Sequence, residues 1–300
     1  MNMTKQVFIP LLLIFVSLSW AGSFIVVAGT TNEISPLHLG FLRFAVATPL
    51  MVCLLLIQKK PMRLPLSTLP SIIVLGLSGV TLLYIFQFTG IHLTTPSTGA
   101  VLINTNVIFI ALLSAVFLHE RFTWKKSIGI GMSFLGVASI MLSTVPLDQL
   151  SISNTFFFGS ILVLVSALCW AIYSIVGKSL LQTYDEFTII TYSFLIGTLF
   201  YIPLVFPTVL PTIQTMSLAA WTGVLYLAVI CSLFAYVGWY YALKRIEATK
   251  AAVFLNLIPL FTMIMAVSLG EQLTWWFIIG AILIISGVYV TQQAQSRSMT

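Results

Sequence analysis

Ten apolar stretches, each about 20 residues long, run almost without a break through this chain of 300 residues. They fall near 7–28, 36–57, 69–91, 95–118, 124–143, 156–178, 187–206, 216–243, 248–269 and 275–292, separated by charged, Pro-rich or Gly-rich interruptions. Stretches of this length cross a bilayer as helices, because a helix satisfies its own backbone hydrogen bonds where no water is present to do so. The runs are continuous and do not alternate at period two, which argues against a transmembrane barrel. The expected fold is therefore all-α and integral to the membrane, with connections too short for a soluble domain. Composition agrees: 59% hydrophobic residues, 7% charged and a mean hydropathy of +1.10 leave too little polar surface to cover a soluble core. The first run, at about 22 residues, exceeds the apolar region of a cleaved signal peptide and is expected to be a permanent helix.

The net charge of +6 is a topology signal. If the N-terminus is cytoplasmic, the cytoplasmic segments carry Lys5, Lys59, Lys60, Arg63, Arg121, Lys125, Lys126, Lys178, Lys244, Arg245, Lys250 and Arg297. The remaining basic residue, Arg43, lies inside the second run. Such asymmetry predicts a multi-pass cell-membrane protein with both termini in the cytoplasm, and it removes any need for a nucleic-acid partner. Cys53, Cys169 and Cys231 are widely spaced within the runs, so they predict packing residues and neither a disulfide framework nor a metal site.

The chain also repeats itself. FLHERFTWKKSIG from Phe117 and SLGEQLTWWFIIG from Ser268, 151 positions apart, share six residues of thirteen, yet the second copy has lost every basic residue. LLLIFVSLSWAGSFIVVA from Leu11 matches ILVLVSALCWAIYSIVGK from Ile161 and aligns Trp20 with Trp170. Five runs per copy is an odd number, so the two copies insert upside down with respect to each other. Lys125 and Lys126 then start a helix on the cytoplasmic side, while Trp275 and Trp276 anchor its counterpart at the outer interface. The expected organisation is two inverted five-helix repeats, 1–150 and 151–300, an architecture of secondary transporters with the site between the halves.

The five-run unit, the Trp-Ala element in runs one and six, PLHLGFLRF at the start of run two, TPSTGAVLINTNVIFIALLSAVFLHERF and its counterpart EATKAAVFLNLIPLFTMIMAVSLGEQLTW resemble the drug/metabolite transporter superfamily, in its ten-span EamA-type branch. The resemblance implies a transporter whose spans one to four and six to nine surround a central cavity, with five and ten outside. It implies a substrate among amino acids, other metabolites and toxic organic compounds, moved outward.

Candidate substrate-binding residues come from polar and aromatic groups at membrane depth. Arg43 is charged in hydrocarbon, costing on the order of 3 kcal/mol if unpaired. It either ties down its own helix near the Ala45 carbonyl freed by Pro49, pairs with Glu33 or Glu271, or holds an anionic or zwitterionic substrate. Asn104 and Asn106 in run four lie opposite the Asn256–Pro259 region of run nine, and form either a polar midplane site or interhelical bonds. Trp20, Tyr84 and Gln87, Trp170 and Tyr173, and Tyr236, Trp239 and Tyr240 recur at helical spacing among Ser and Gly residues. They suit core packing or a cavity for a flat, mostly apolar solute. Glu120 and Glu271 are expected to cap hairpins, and His38, His92 and His119 are assigned no ligand role. Gly129, Gly131, Gly136, Gly280 and Gly287 permit close helix approach, within the chain or in a homodimer.

The residues for catalysis or ATP hydrolysis are missing from the motifs present, and no cofactor or metal is called for. The partners expected are the bilayer and a small-molecule substrate. A lipid or lipid-linked-sugar flippase is the alternative within the same fold, and a membrane-embedded enzyme a weaker one. No Asp, Glu or Lys is expected at mid-depth, so transport is expected to be facilitative or driven by membrane potential and not obligately proton-coupled.

Overall fold

The computed structural model describes residues 3–94, 96–121, 123–144, 154–268 and 274–294. Ten helical rods account for almost all of them: α1 (Met3–Thr30), α2 (Pro36–Ile57), α3 (Leu66–Leu93), α4 (96–117), α5 (Trp124–Thr144), α6 (Asn154–Leu180), α7 (Glu186–Val205), α8 (Leu218–Leu243), α9 (248–268) and α10 (Trp275–Gln292). Among the described residues nine are long and apolar enough to cross a membrane, and α5, 21 residues long, lies beside α10. A short helix, Val209–Thr215, joins α7 to α8.

The starts of the rods follow from local chemistry. Ser35 caps α2 by accepting from the His38 N–H, with Pro36 in the first turn where no amide is needed. Asp185, Ser217 and Thr274 cap α7, α8 and α10 in the same way, at Phe187, Ala220 and Phe277. Each cap sits at the polar interruption that ends the preceding apolar run.

The repeat reappears in backbone detail that composition cannot carry. A π-helical segment interrupts α3 at Leu77–Thr81 and α8 at Tyr226–Phe234. A break interrupts α4 at Asn104–Thr105, and a 3-10 turn interrupts α9 at Val253–Asn256. Counterparts 150 positions apart also touch directly. Trp20 and Trp170 meet edge to face at 5.0 Å between ring centroids, Phe44 and Phe194 at 5.1 Å, and the Thr48 and Thr198 hydroxyls are hydrogen-bonded at 2.8 Å. These three pairs mark a pseudo-two-fold axis through the bundle.

Helices α5 and α10 run antiparallel and pack chiefly on each other. A Cβ placed on Gly136 would lie 2.7 Å from the Gly280 carbonyl oxygen, and one on Gly129 would lie 2.7 Å from that of Gly287. Four of the glycines that left a homodimer face open are thus used within the chain, and Gly131 faces open space. The other eight rods enclose an unusually aromatic core, whose largest fully buried side chains include Trp239, Arg43, Tyr173, Tyr201, Tyr236 and Tyr240. Outward faces carry Phe15, Leu199, Ile282 and similar residues, as contact with lipid requires. Cys169 and Cys231 are buried as expected. Cys53 is not: it points outward from α2, because a thiol is apolar enough to sit among lipid-facing leucines.

Candidate functional site

All four ion pairs found among the described residues lie at the end of the bundle where α1 begins and α8 ends; we call it the basic end. Toward the opposite end, six of the rods line a central cavity with an empty volume of about 440 Å³ counting its mouth. Helix α1 contributes Trp20, Ser23 and Phe24, and α3 contributes Tyr84 and Gln87, each set spaced to share one helix face. Arg43 enters from α2, Asn106 from α4 and Trp170 from α6, while Leu83, Ile103, Leu255 and Ile258 supply apolar wall. Six of the twelve candidate residues therefore meet here: Trp20, Arg43, Tyr84, Gln87, Asn106 and Trp170.

Arg43 is only 1% exposed, seven residues, or about 10 Å, inside α2. Its Nε donates to Ser232 Oγ at 2.7 Å and its Nη2 to the Cys231 carbonyl at 3.2 Å. The guanidinium lies 4.1 Å from the centroid of the Tyr84 ring. These contacts, to α8, stand where the sequence offered Glu33 or the Ala45 carbonyl as a partner. Glu33 instead caps α8 through the Ser217 amide and hydroxyl, which holds its carboxyl below the usual range, and Glu271 lies outside the described residues. Among the described residues no carboxylate comes within ion-pair distance of Arg43. The π segment of α8 explains the arrangement. Ser232 donates back five residues to the Leu227 carbonyl, and the Cys231 carbonyl turns inward, where it also accepts from Trp20 Nε1 at 3.0 Å.

Four aromatic candidates do not line the cavity. Tyr173, Tyr236, Trp239 and Tyr240 are fully buried one layer nearer the basic end, where they form a plug. Tyr173 stacks on Tyr240 at 5.0 Å and on Trp170 at 5.4 Å, and Trp239 lies 5.7 Å from Trp170. The Tyr236 hydroxyl bonds that of Tyr84 at 2.9 Å and reaches the Gly79 carbonyl, in the π segment of α3, at 2.6 Å. Each π segment thus offers a carbonyl to the other repeat. Stripe spacing identified these residues but not their depth, and for the three in α8 the extra residue of the π turn also shifts which face meets the axis.

Asn104 and Asn256 also stay out of the cavity lining. Both are buried at the breaks in α4 and α9, and Asn104 Nδ2 bonds back to the Ala100 carbonyl. Of the asparagine candidates only Asn106 reaches the cavity, and its buried Oδ1 has no hydrogen-bond partner among the described residues.

At the basic end a polar cluster joins the repeats, and sequence reasoning missed its extent. Glu120, which follows α4, accepts from the Ala248 N–H at 2.6 Å, the Thr249 N–H at 3.2 Å and the Thr249 hydroxyl at 3.0 Å. It thereby caps α9, in the other repeat. Lys178 Nζ lies 3.6 Å from the same carboxylate and donates to the Leu243 and Ile246 carbonyls. Lys126, 1% exposed, pairs with Glu247 at 3.1 Å. Ser114 bonds Thr249 at 3.0 Å across the same seam. The signal available in the sequence was Glu120 itself, read as a hairpin cap.

A family model for the EamA-like transporter family matches twice, over residues 7–142 and 157–292. The chain belongs to the EamA-like transporter family. It is 38% identical over 288 residues to an uncharacterized transporter of Archaeoglobus fulgidus, covering 96% of this chain and 98% of that one. A probable terminal-alkyne amino-acid exporter of Streptantibioticus cattleyicolor is 28% identical over 221 residues, 73% of this chain and 72% of its own length. A solved crystal structure superposes with a TM-score of 0.79 at 17% identity, over 95% of this chain and 98% of the other, which shows the fold. This EamA-like chain is a multi-pass membrane transporter.

Proposed function

We propose that the chain exports a small organic solute by alternating access, with the central cavity as the substrate site and the repeats 1–150 and 151–300 as the two moving units. One observation carries this reading: the cavity lies toward one end, while an aromatic plug and an ion-paired seam close the other. That asymmetry suits one of the two states a carrier must visit. The clustering of basic residues supports placing the basic end in the cytoplasm of a cell-membrane protein, so the state described faces outward. Export agrees with the name of the Streptantibioticus relative.

Two measurements test the assignment. In a Cys-free background, Lys59→Cys and Arg245→Cys should react with an impermeant maleimide only after the cytoplasmic side is exposed, and Gln214→Cys in intact cells. All three positions are solvent-exposed. Labelling of all three from one side sinks the orientation. Ile103→Cys, on the cavity wall, should label from the Gln214 side, and Trp170→Ala should cut export at least tenfold with normal membrane levels. An unreactive Ile103→Cys, or full export by Trp170→Ala, places the substrate elsewhere.

A further inference from the structure

Resting on the reading of the cavity as the substrate site, we infer that the substrate is a net organic anion, a monocarboxylate on a flat apolar body, and that each cycle moves its charge outward across the membrane. The cavity holds one guanidinium and, among its lining residues, no acidic side chain. The two recorded hydrogen bonds of Arg43 use two of the five donors of a guanidinium, and both acceptors are neutral. A cation so deeply desolvated attracts a carboxylate strongly and offers it paired, charge-assisted hydrogen bonds. The same charge repels a cationic solute. An amino-acid zwitterion would satisfy Arg43, but its ammonium would have only neutral acceptors here, of which the unpartnered Asn106 Oδ1 is one. The aromatic side chains of Trp20, Trp170 and Tyr84 and the aliphatic wall suit a flat apolar body beyond the carboxylate.

Charge also answers the question of driving force. The described carboxylates sit at the ends of the bundle, in Glu33, Glu120, Asp185, Glu186 and Glu247, and none lines the cavity. A membrane potential needs no titrating group. With the substrate neutralised on Arg43 during the loaded step, the empty carrier returns with its positive charge, and the cycle exports one negative charge. An interior-negative potential of 100 mV then sustains an outside-to-inside ratio of about 50-fold.

Three probes with one phenyl body test this in proteoliposomes at pH 7: 3-phenyllactate (anion), L-phenylalanine (zwitterion) and L-phenylalaninol (cation), with protein-free vesicles as the blank. Phenyllactate efflux is expected to exceed that of the other two at least tenfold. It should accelerate when valinomycin and a potassium gradient make the lumen negative, and reverse with the potential. Arg43→Gln should lose the anion preference and Arg43→Lys should keep part of it. Absence of phenyllactate flux, phenylalanine moving as fast as phenyllactate, or flux indifferent to potential overturns the inference. Failure of the cavity reading itself shows separately, as an unreactive Ile103→Cys whichever probe moves.

Discussion

Glu120→Ala is expected to open the basic end of the bundle. The substitution removes the acceptor for the Ala248 and Thr249 amides and the Thr249 hydroxyl, and leaves Lys178 without its carboxylate. Deleting one partner of a buried ion pair costs about 3 kcal/mol. The penalty falls on the state in which the seam is closed, so the balance between states should move about 100-fold. Ser174→Cys reports the change: Ser174 is fully buried and accepts from Trp239 Nε1 in the plug. Its labelling from the basic end should rise at least tenfold in the Glu120→Ala background, while transport slows because the state with the seam closed is depleted. Glu120→Gln keeps one acceptor for the α9 amides and should fall between. Unchanged labelling of Ser174→Cys would show that the seam does not hold the barrier shut.

Gly79→Ala should be the most damaging single methyl in the bundle. A Cβ there would sit 2.0 Å from Cδ2 and 2.4 Å from Cε2 of Tyr173. That ring cannot retreat, being stacked between Trp170 and Tyr240. Overpacking of this kind costs about 3 kcal/mol at the upper end of the usual range. It would also displace the Gly79 carbonyl from the Tyr236 hydroxyl. Melting in detergent should fall by several degrees and transport should be lost. Gly131→Ala is the matched control: its Cβ would meet nothing within 4 Å, and alanine favours the helix by about 1 kcal/mol. Equal stability of the two variants would falsify the account of the plug.

Much of the fold was legible because membrane spans advertise themselves. The expected starts at Pro36, Trp124, Ala248 and Trp275 are the observed ones, since each apolar run stops at a proline, a charge or an interfacial tryptophan. The site was legible in part. Trp20 and Trp170 were aligned by the repeat alone, and they meet at the cavity floor. Arg43 was identified by its charge, but its partners were sought among carboxylates, whereas Ser232 and a turned-in Cys231 carbonyl hold it. A π turn leaves no compositional trace, so neither that carbonyl nor the depth of Tyr236 and Trp239 could be read from spacing. The reach of Glu120 was hidden for a different reason. Its partners lie 128 and 129 positions away, across a seam that exists only once both repeats are assembled.

Three residues meet their own counterparts: Trp20 with Trp170, Phe44 with Phe194, Thr48 with Thr198. Along that line the single chain obeys the rule of a two-fold homodimer, in which a residue on the axis can only face a copy of itself. Self-facing positions accept groups that satisfy their own kind, such as a ring edge against a ring or one hydroxyl against another, and they refuse a charge, which would meet its like. Arg43 sits immediately beside Phe44, one step off this line, and its counterpart in the second repeat is Ser193, which is neutral. Duplication supplied the symmetric line of contacts, and the departure from symmetry next to it supplied a single positive charge. A bundle with perfect symmetry would have carried two such charges or none.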